Sequence, residues 1–155
     1  MLEHLSGDAA ELFEDLTVGQ VSAWQQYDIA RKDIPGEPDE GGDYYVVAYA
    51  NPNAPVIRMA DRTRGLAQYF RYVRIGATRV DARSNDGDVK PVAFKNRDGG
   101  FVVVVNADRA RNLIVGGLPP GRYLASYTTA KETGRELPRL FRTARSSFRY
   151  RRPGS

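Results

Sequence analysis

The residues best suited to bind a ligand sit in one decapeptide, VSAWQQYDIA at positions 21–30, which holds the only tryptophan of the chain. An indole face stacks on the apolar face of a sugar ring, and neighbouring amides bond its hydroxyls. Trp24 and Gln25 are therefore candidate substrate-binding residues. The competing use is plain core filling at the end of a buried strand, and spacing alone leaves both open. Catalytic groups are harder to find. The single histidine, His4, lies at the extreme terminus with no nucleophile and carboxylate placed around it, so a nucleophilic triad lacks its parts. GGLPPG and RDGG lack the Gly-Lys-Ser/Thr ending of a phosphate loop and read as hairpin turns. Acidic clusters occur in FEDL, GEPDEGGD and SNDGD. The last lacks the later bidentate glutamate of an EF-hand loop, and all three read as solvated turns and helix faces. No catalytic residue, metal ligand or cofactor is assigned from these residues.

Composition narrows the class. The chain has 155 residues, 41% apolar and 27% charged, with 15 glycines and 9 prolines, which suits a loop-rich β protein with a real core. Without cysteine, neither disulfides nor thiolate-bound zinc or iron–sulfur centres are available. No apolar run approaches the roughly 20 residues that cross a bilayer. The opening MLEHLSGDAAELFEDL is acidic and amphipathic, unlike a signal peptide. Net charge is +4, yet the segment from Arg135 onward holds seven arginines against Glu136 and contributes +6, leaving −2 for the remainder. On that division the folded part has no basic face, and neither nucleic acid nor membrane is expected as a partner.

The elements that must position Trp24 follow from periodicity. Asp8–Val18 is predicted as a helix, with Asp8 as N-cap, Glu11 completing a capping box, Leu12, Phe13 and Leu16 on one face, and Gly19 as terminator. A buried strand is expected over Val21–Tyr27, so helix, turn and strand resemble one step of an α/β barrel. RKDIPGEPDEGGD reads as a surface loop, YYVVAYA as a strand, and Arg58–Val73 as a helix with Met59, Leu66, Phe70 and Val73 inward. Short strands follow: TRVDAR, VKPVAFKN, FVVVVNA, RNLIVGGL and RYLASYTT, with Asp98-Gly99 as a hairpin signal. Phe101–Val105 is apolar throughout and is expected to be central, covered on both faces. The Arg-rich stretch beyond Thr133 shows no period. Leu12, Phe13, Leu16 and Val21 are expected to expose apolar surface.

VSAWQQY, the helix RGLAQYFRYVRIGATRVDA, and VKPVAFKNRDGGFVVVVNADRARNLIV, taken in order, resemble the C-terminal part of glycoside hydrolase family 30. The resemblance covers about residues 8–130. It implies a mainly β fold, an antiparallel β-sandwich preceded by a helix-strand remnant of a TIM barrel. The corresponding divisions are 1–30 for the remnant, 31–57 for a loop and strand, 58–134 for the helix and sandwich, and 135–155 for an irregular tail. Family members are retaining hydrolases whose two glutamates, about 5 Å apart, act as acid/base and nucleophile. The chain is expected to start after the strands that carry them. Trp24 then matches the wall of the sugar subsite nearest the scissile bond, with Gln25 as a hydroxyl partner. Two features depart from the family pattern: Ile75 stands where proline is usual, and the tail does not resemble the closing strand of the sandwich. The implied function is the non-catalytic sandwich portion of a retaining O-glycosyl hydrolase acting on β-linked glycans, inactive alone. A β-linked oligosaccharide or polysaccharide, and a barrel supplied by another chain, are the implied partners, and the parent enzyme is implied to be secreted. The alternative is a stand-alone carbohydrate-binding module whose platform draws on Tyr44, Tyr45, Tyr49, Tyr123 and Tyr127.

Overall fold

A computed structural model describes residues 7–26, 28–34, 43–48, 51, 53–138, 140–142 and 148–150. Two compact units divide the chain. Unit 1 comprises Met1–Gln68 with Thr129–Thr133, and unit 2 comprises Tyr69–Thr128 with Gly134–Ser155.

Unit 1 opens with α1, Ala9–Thr17. Asp8 caps it as expected, its carboxylate accepting from the backbone N–H groups of Ala10 and Glu11 at 2.9 Å. The reciprocal half of the capping box is displaced by one residue: Glu11 Oε2 accepts from the N–H of Gly7 at 2.7 Å. Gly7 tolerates this entry because its φ is +57°. At the other end the left-handed residue is Gln20, with φ 52°, one position past the predicted terminator. Of the expected apolar face, Leu12 is buried, while Phe13, Leu16 and Val21 are half-buried. Exposed Leu12 is thus corrected, and Val18 carries the exposed apolar surface instead, at 75%.

Val21–Gln26 joins no strand, contrary to the expected strand over Val21–Tyr27, whose last residue lies outside the described residues. The reason is that both Trp24 and Gln26 spend their side chains on hydrogen bonds to α1 and its lead-in, holding this backbone away from a ladder. The strand, β1, starts later, at Asp28–Asp33, partly inside the stretch predicted as loop. It pairs in parallel with β2, Asp43–Ala48, from Asp28 opposite Asp43 to Asp33 opposite Ala48. Of the rest of the predicted loop, Ile34 follows β1 and residues 35–42 lie outside the described residues. Antiparallel β3, Val56–Met59, completes a three-stranded sheet in the order β1-β2-β3. Helix followed by strand, ahead of antiparallel sheets, is the order expected.

Helix α2, Asp61–Tyr72, contains the boundary between the units. Its buried residues are Thr63, Leu66 and Tyr69, with Leu66 fully buried, whereas Phe70 is 45% exposed and Met59 belongs to β3. The inward face is therefore rotated from the predicted one. A polar Thr63 and an amphipathic Tyr69 occupy positions that a purely apolar count assigns elsewhere.

Unit 2 is built on antiparallel strands. β4, Thr78–Val80, β5, Val89–Lys95, and β6, Phe101–Ala107, form a sheet with β5 in the middle. Val89, Val92, Ala93 and Phe94 of β5 are buried, but only Val104 of β6 is. The continuous apolar run of β6 is thus not the central strand, because its pairing is with β5 alone among the described residues. Pro91 is tolerated in central β5 because β4 reaches only as far as Ala93, so the missing N–H faces no partner strand. The β5-β6 turn closes as predicted: Asn96 donates to the Gly100 carbonyl at 2.9 Å and Gly99, at φ +85°, donates back to Asn96.

The arginine-rich segment is not irregular throughout. β10, Arg135–Glu136, β11, Leu140–Arg142, and β12, Phe148–Tyr150, pair antiparallel with β9, Ser126–Tyr127, β8, Gly121–Tyr123, and β7, Leu113–Val115, respectively. The unmatched side-chain pattern hid these strands because a ladder needs only backbone N–H and C=O groups in register.

Candidate functional site

Trp24 is half-buried, and its Nε1–H donates to Asp15 Oδ2 at 3.0 Å. The contact exists because α1 ends in a chain reversal at Gly19 and Gln20, which brings 21–26 back along the last turn. The Val21 N–H bonds to the Asp15 carbonyl at 3.1 Å and fixes the start of that return. A β-carbon on Gly19 would come within 2.9 Å of the same carbonyl, so glycine is required there. The carboxylate beside the tryptophan escaped sequence reasoning, which took FEDL for a solvated helix face. The helix-terminating Gly19 was the signal that the chain doubles back.

Gln25 is exposed and its neighbour Gln26 is 5% exposed. Gln26 donates Nε2–H to the Gly7 carbonyl at 2.8 Å and its backbone N–H to Tyr44 Oη at 3.3 Å. Among the described residues its Oε1 has no hydrogen-bond partner. Trp24 is thus tied to α1 and Gln26 to Gly7 and Tyr44, with exposed Gln25 between them. Such an arrangement can hold a sugar ring but moves no proton and forms no bond.

The other acidic clusters have structural uses. Asp86 and Asp88 of SNDGD are met by guanidinium groups: Arg111 pairs with both, and Arg109 reaches Asp88 at 3.1 Å. These arginines occupy the place a cation would take. Asp43, at the end of GEPDEGGD, is 4% exposed and faces Arg31 at 3.4 Å. No group of three metal-ligating side chains occurs among the described residues. His4 lies outside them.

In unit 2, Asn96 organises the junction of helix and hairpin. Its Oδ1 accepts from the Arg74 N–H at 3.1 Å and its Nδ2–H donates to the Tyr72 carbonyl at 3.0 Å, capping the end of α2. Tyr69 is buried, and burial pushes its phenol up to about 12, against the lowering effect of the bond from Asn106 Nδ2 at 3.2 Å. Around this frame two turns, at Gly99–Gly100 and Pro119–Gly121, border a groove of about 400 Å³ lined by Tyr72, Phe101, Tyr123 and Leu124. Among the described residues, Tyr123 is the one member of the proposed tyrosine platform in this lining. Tyr44 and Tyr45 belong to unit 1, Tyr127 is outside the lining, and Tyr49 lies outside the described residues.

Residues 76–115, from the turn after α2 through β7, match the glycosyl hydrolase family 30 beta sandwich domain. Over this stretch the chain is similar to part of a family 30 β-sandwich. The match spans β4, β5 and β6, the sheet that contains most of the buried residues of unit 2. Gly76, at φ +78°, makes the turn that opens the matched stretch, and Ile75 before it is 98% exposed. A side chain so exposed has no packing role, which explains why its departure from proline leaves the turn intact. The matched domain type has a non-catalytic role.

Proposed function

We propose that the chain is the C-terminal sandwich portion of a retaining O-glycosyl hydrolase acting on β-linked glycans, inactive alone, in which Trp24 and Gln25 border the sugar subsite. The observation that carries this reading is the clamped indole: Trp24 is held through Nε1 by Asp15, so its ring is oriented while half-exposed, and Gln25 beside it is free. A preorganised ring loses little entropy on stacking against a sugar. The family 30 match supports the parent chemistry, in which two glutamates about 5 Å apart carry out the reaction. Those groups belong to the barrel, supplied by another chain or another part of the same protein.

The test is an activity assay of the chain alone on aryl β-glycosides, followed by the same assay with a family 30 barrel added. No hydrolysis alone and hydrolysis on mixing, reduced by Trp24→Ala with little change on Trp24→Phe, is the expected pattern. Turnover by the chain alone would overturn it. The second reading, a stand-alone carbohydrate-binding module, is favoured by one observation, the aromatic groove of unit 2.

A further inference from the structure

The charge of the chain is divided between its units. Unit 1 carries 6 Lys/Arg against 13 Asp/Glu, a net −7, and unit 2 carries 17 against 6, a net +11. This reverses the division read from the sequence, in which the tail alone was basic. The tail strands β10, β11 and β12 are paired into unit 2, so their arginines add to a body that is already basic. A net +11 over one compact unit is a field that attracts polyanions.

The aromatic groove lies within that same unit. Tyr123 Oη donates to the Pro119 carbonyl at 2.8 Å, and Tyr72 Oη shares a hydrogen bond with Ser126 Oγ at 2.9 Å. Both phenols are thus fixed by their own hydroxyls, which leaves rigid rings for stacking. Cations stand close by: Lys95 Nζ is 5.9 Å from the centre of the Phe101 ring, and exposed Arg122 is in the lining. Arg71 sits 5.4 Å from the Tyr72 ring but shares its charge with Glu136 at 2.8 Å. Among the described residues, no carboxylate lines the groove.

From these two observations we infer that unit 2 binds an acidic, β-linked polysaccharide, with sugar rings on Tyr72, Phe101 and Tyr123 and sugar carboxylates facing the basic surface. The volume is within the ~300–1,000 Å³ range of ligand pockets, and its openness between two turns suits a polymer passing through. A glycan is favoured over nucleic acid because residues 76–115, which supply Gly99, Gly100 and Phe101 to the lining, match a glycosyl hydrolase sandwich domain. The inference is independent of Trp24, which lies in unit 1, and of any barrel.

The experiment titrates the full chain with carboxymethyl cellulose, with its neutral hydroxyethyl counterpart and with a single-stranded oligonucleotide. Saturable binding to carboxymethyl cellulose is expected, weakened by salt and at least about tenfold weaker for the neutral polymer. Tyr123→Ala and Phe101→Ala should each weaken it about fivefold or more, while Tyr123→Phe leaves it intact. Circular dichroism of each variant separates lost binding from lost fold, and Tyr123→Phe tests the ring without removing it. Equal affinity for the neutral polymer, tighter binding of the oligonucleotide, indifference to both ring truncations, or no binding would each overturn the inference. Loss on Trp24→Ala alone would place the ligand in unit 1, which rejects the groove while sparing the proposed role of Trp24.

Discussion

Asp15 Oδ2 accepts the indole hydrogen of Trp24 at 3.0 Å, nine residues away along the chain. This one bond joins the last turn of α1 to the strip that carries the candidate sugar-binding residues. It sets the ring plane of the only tryptophan, which makes the relationship directly observable.

Asp15→Ala should therefore release the ring. Tryptophan emission is expected to shift to longer wavelength and become more accessible to iodide quenching, with a loss of about 1 kcal/mol in a urea melt. The bond is only part-buried, which keeps the figure low. Unchanged emission and quenching would mean that the ring is held by packing instead.

Leu66 and Phe70 test the rotated face of α2. Leu66 has no exposed surface, so Leu66→Ala should destabilise by about 2–5 kcal/mol through lost burial and a residual cavity. Phe70→Ala should cost less than about 1 kcal/mol, since 45% of that residue is already in water. Denaturant melts of the two variants give the comparison, and a reversed order would restore the face predicted from periodicity.

Asn96 is replaceable by neither of its near relatives. Asn96→Ala leaves the Arg74 N–H and the Tyr72 carbonyl without their partner, at a cost of about 1–3 kcal/mol. Asn96→Asp keeps the acceptor but sets a carboxylate against the Tyr72 carbonyl, so it should be at least as destabilising as alanine at neutral pH. Thermal melts of both variants decide the point, and a wild-type melting temperature in Asn96→Asp would contradict the capping geometry.

Tyr69 gives the chain an alkaline limit. Its phenol titrates near 12 in the fold against 10.0 in the open chain, so the folded state binds the proton more tightly. The associated stability is complete below pH 10.0 and is lost as pH rises toward 12, on the order of 2–3 kcal/mol in all. Stability measured across that window should fall in the wild type and fall less in Tyr69→Phe. A phenolate at ordinary tyrosine pH in the ultraviolet difference between wild type and Tyr69→Phe, with the fold intact, would contradict the assignment.

Much of unit 2 was legible in the sequence, because each strand from Thr78 to Ala107 is bounded by turn residues and its turns rely on local backbone chemistry. Asp98-Gly99 closes its hairpin through bonds among Asn96, Gly99 and Gly100, all within five residues. The helix cap at Asp8 is equally local. So was the indole-amide pair at Trp24 and Gln25, as a choice of residue types. The sequence alone determined the elements whose stabilising bonds close within a few positions, together with their resemblance to a family 30 sandwich.

Other features depended on contacts between residues distant in the chain. Trp24 finds Asp15 only after the reversal at Gln20, β6 is recognised as less central than β5 only by who pairs with it, and the arginine-rich strands form only opposite β7, β8 and β9. The division of charge into −7 and +11 likewise required knowing which segments fold together. The physical reason is common to all of these. Backbone pairing and electrostatic potential depend on proximity in space, and periodicity along the chain carries no record of that proximity once the partners lie in separate segments.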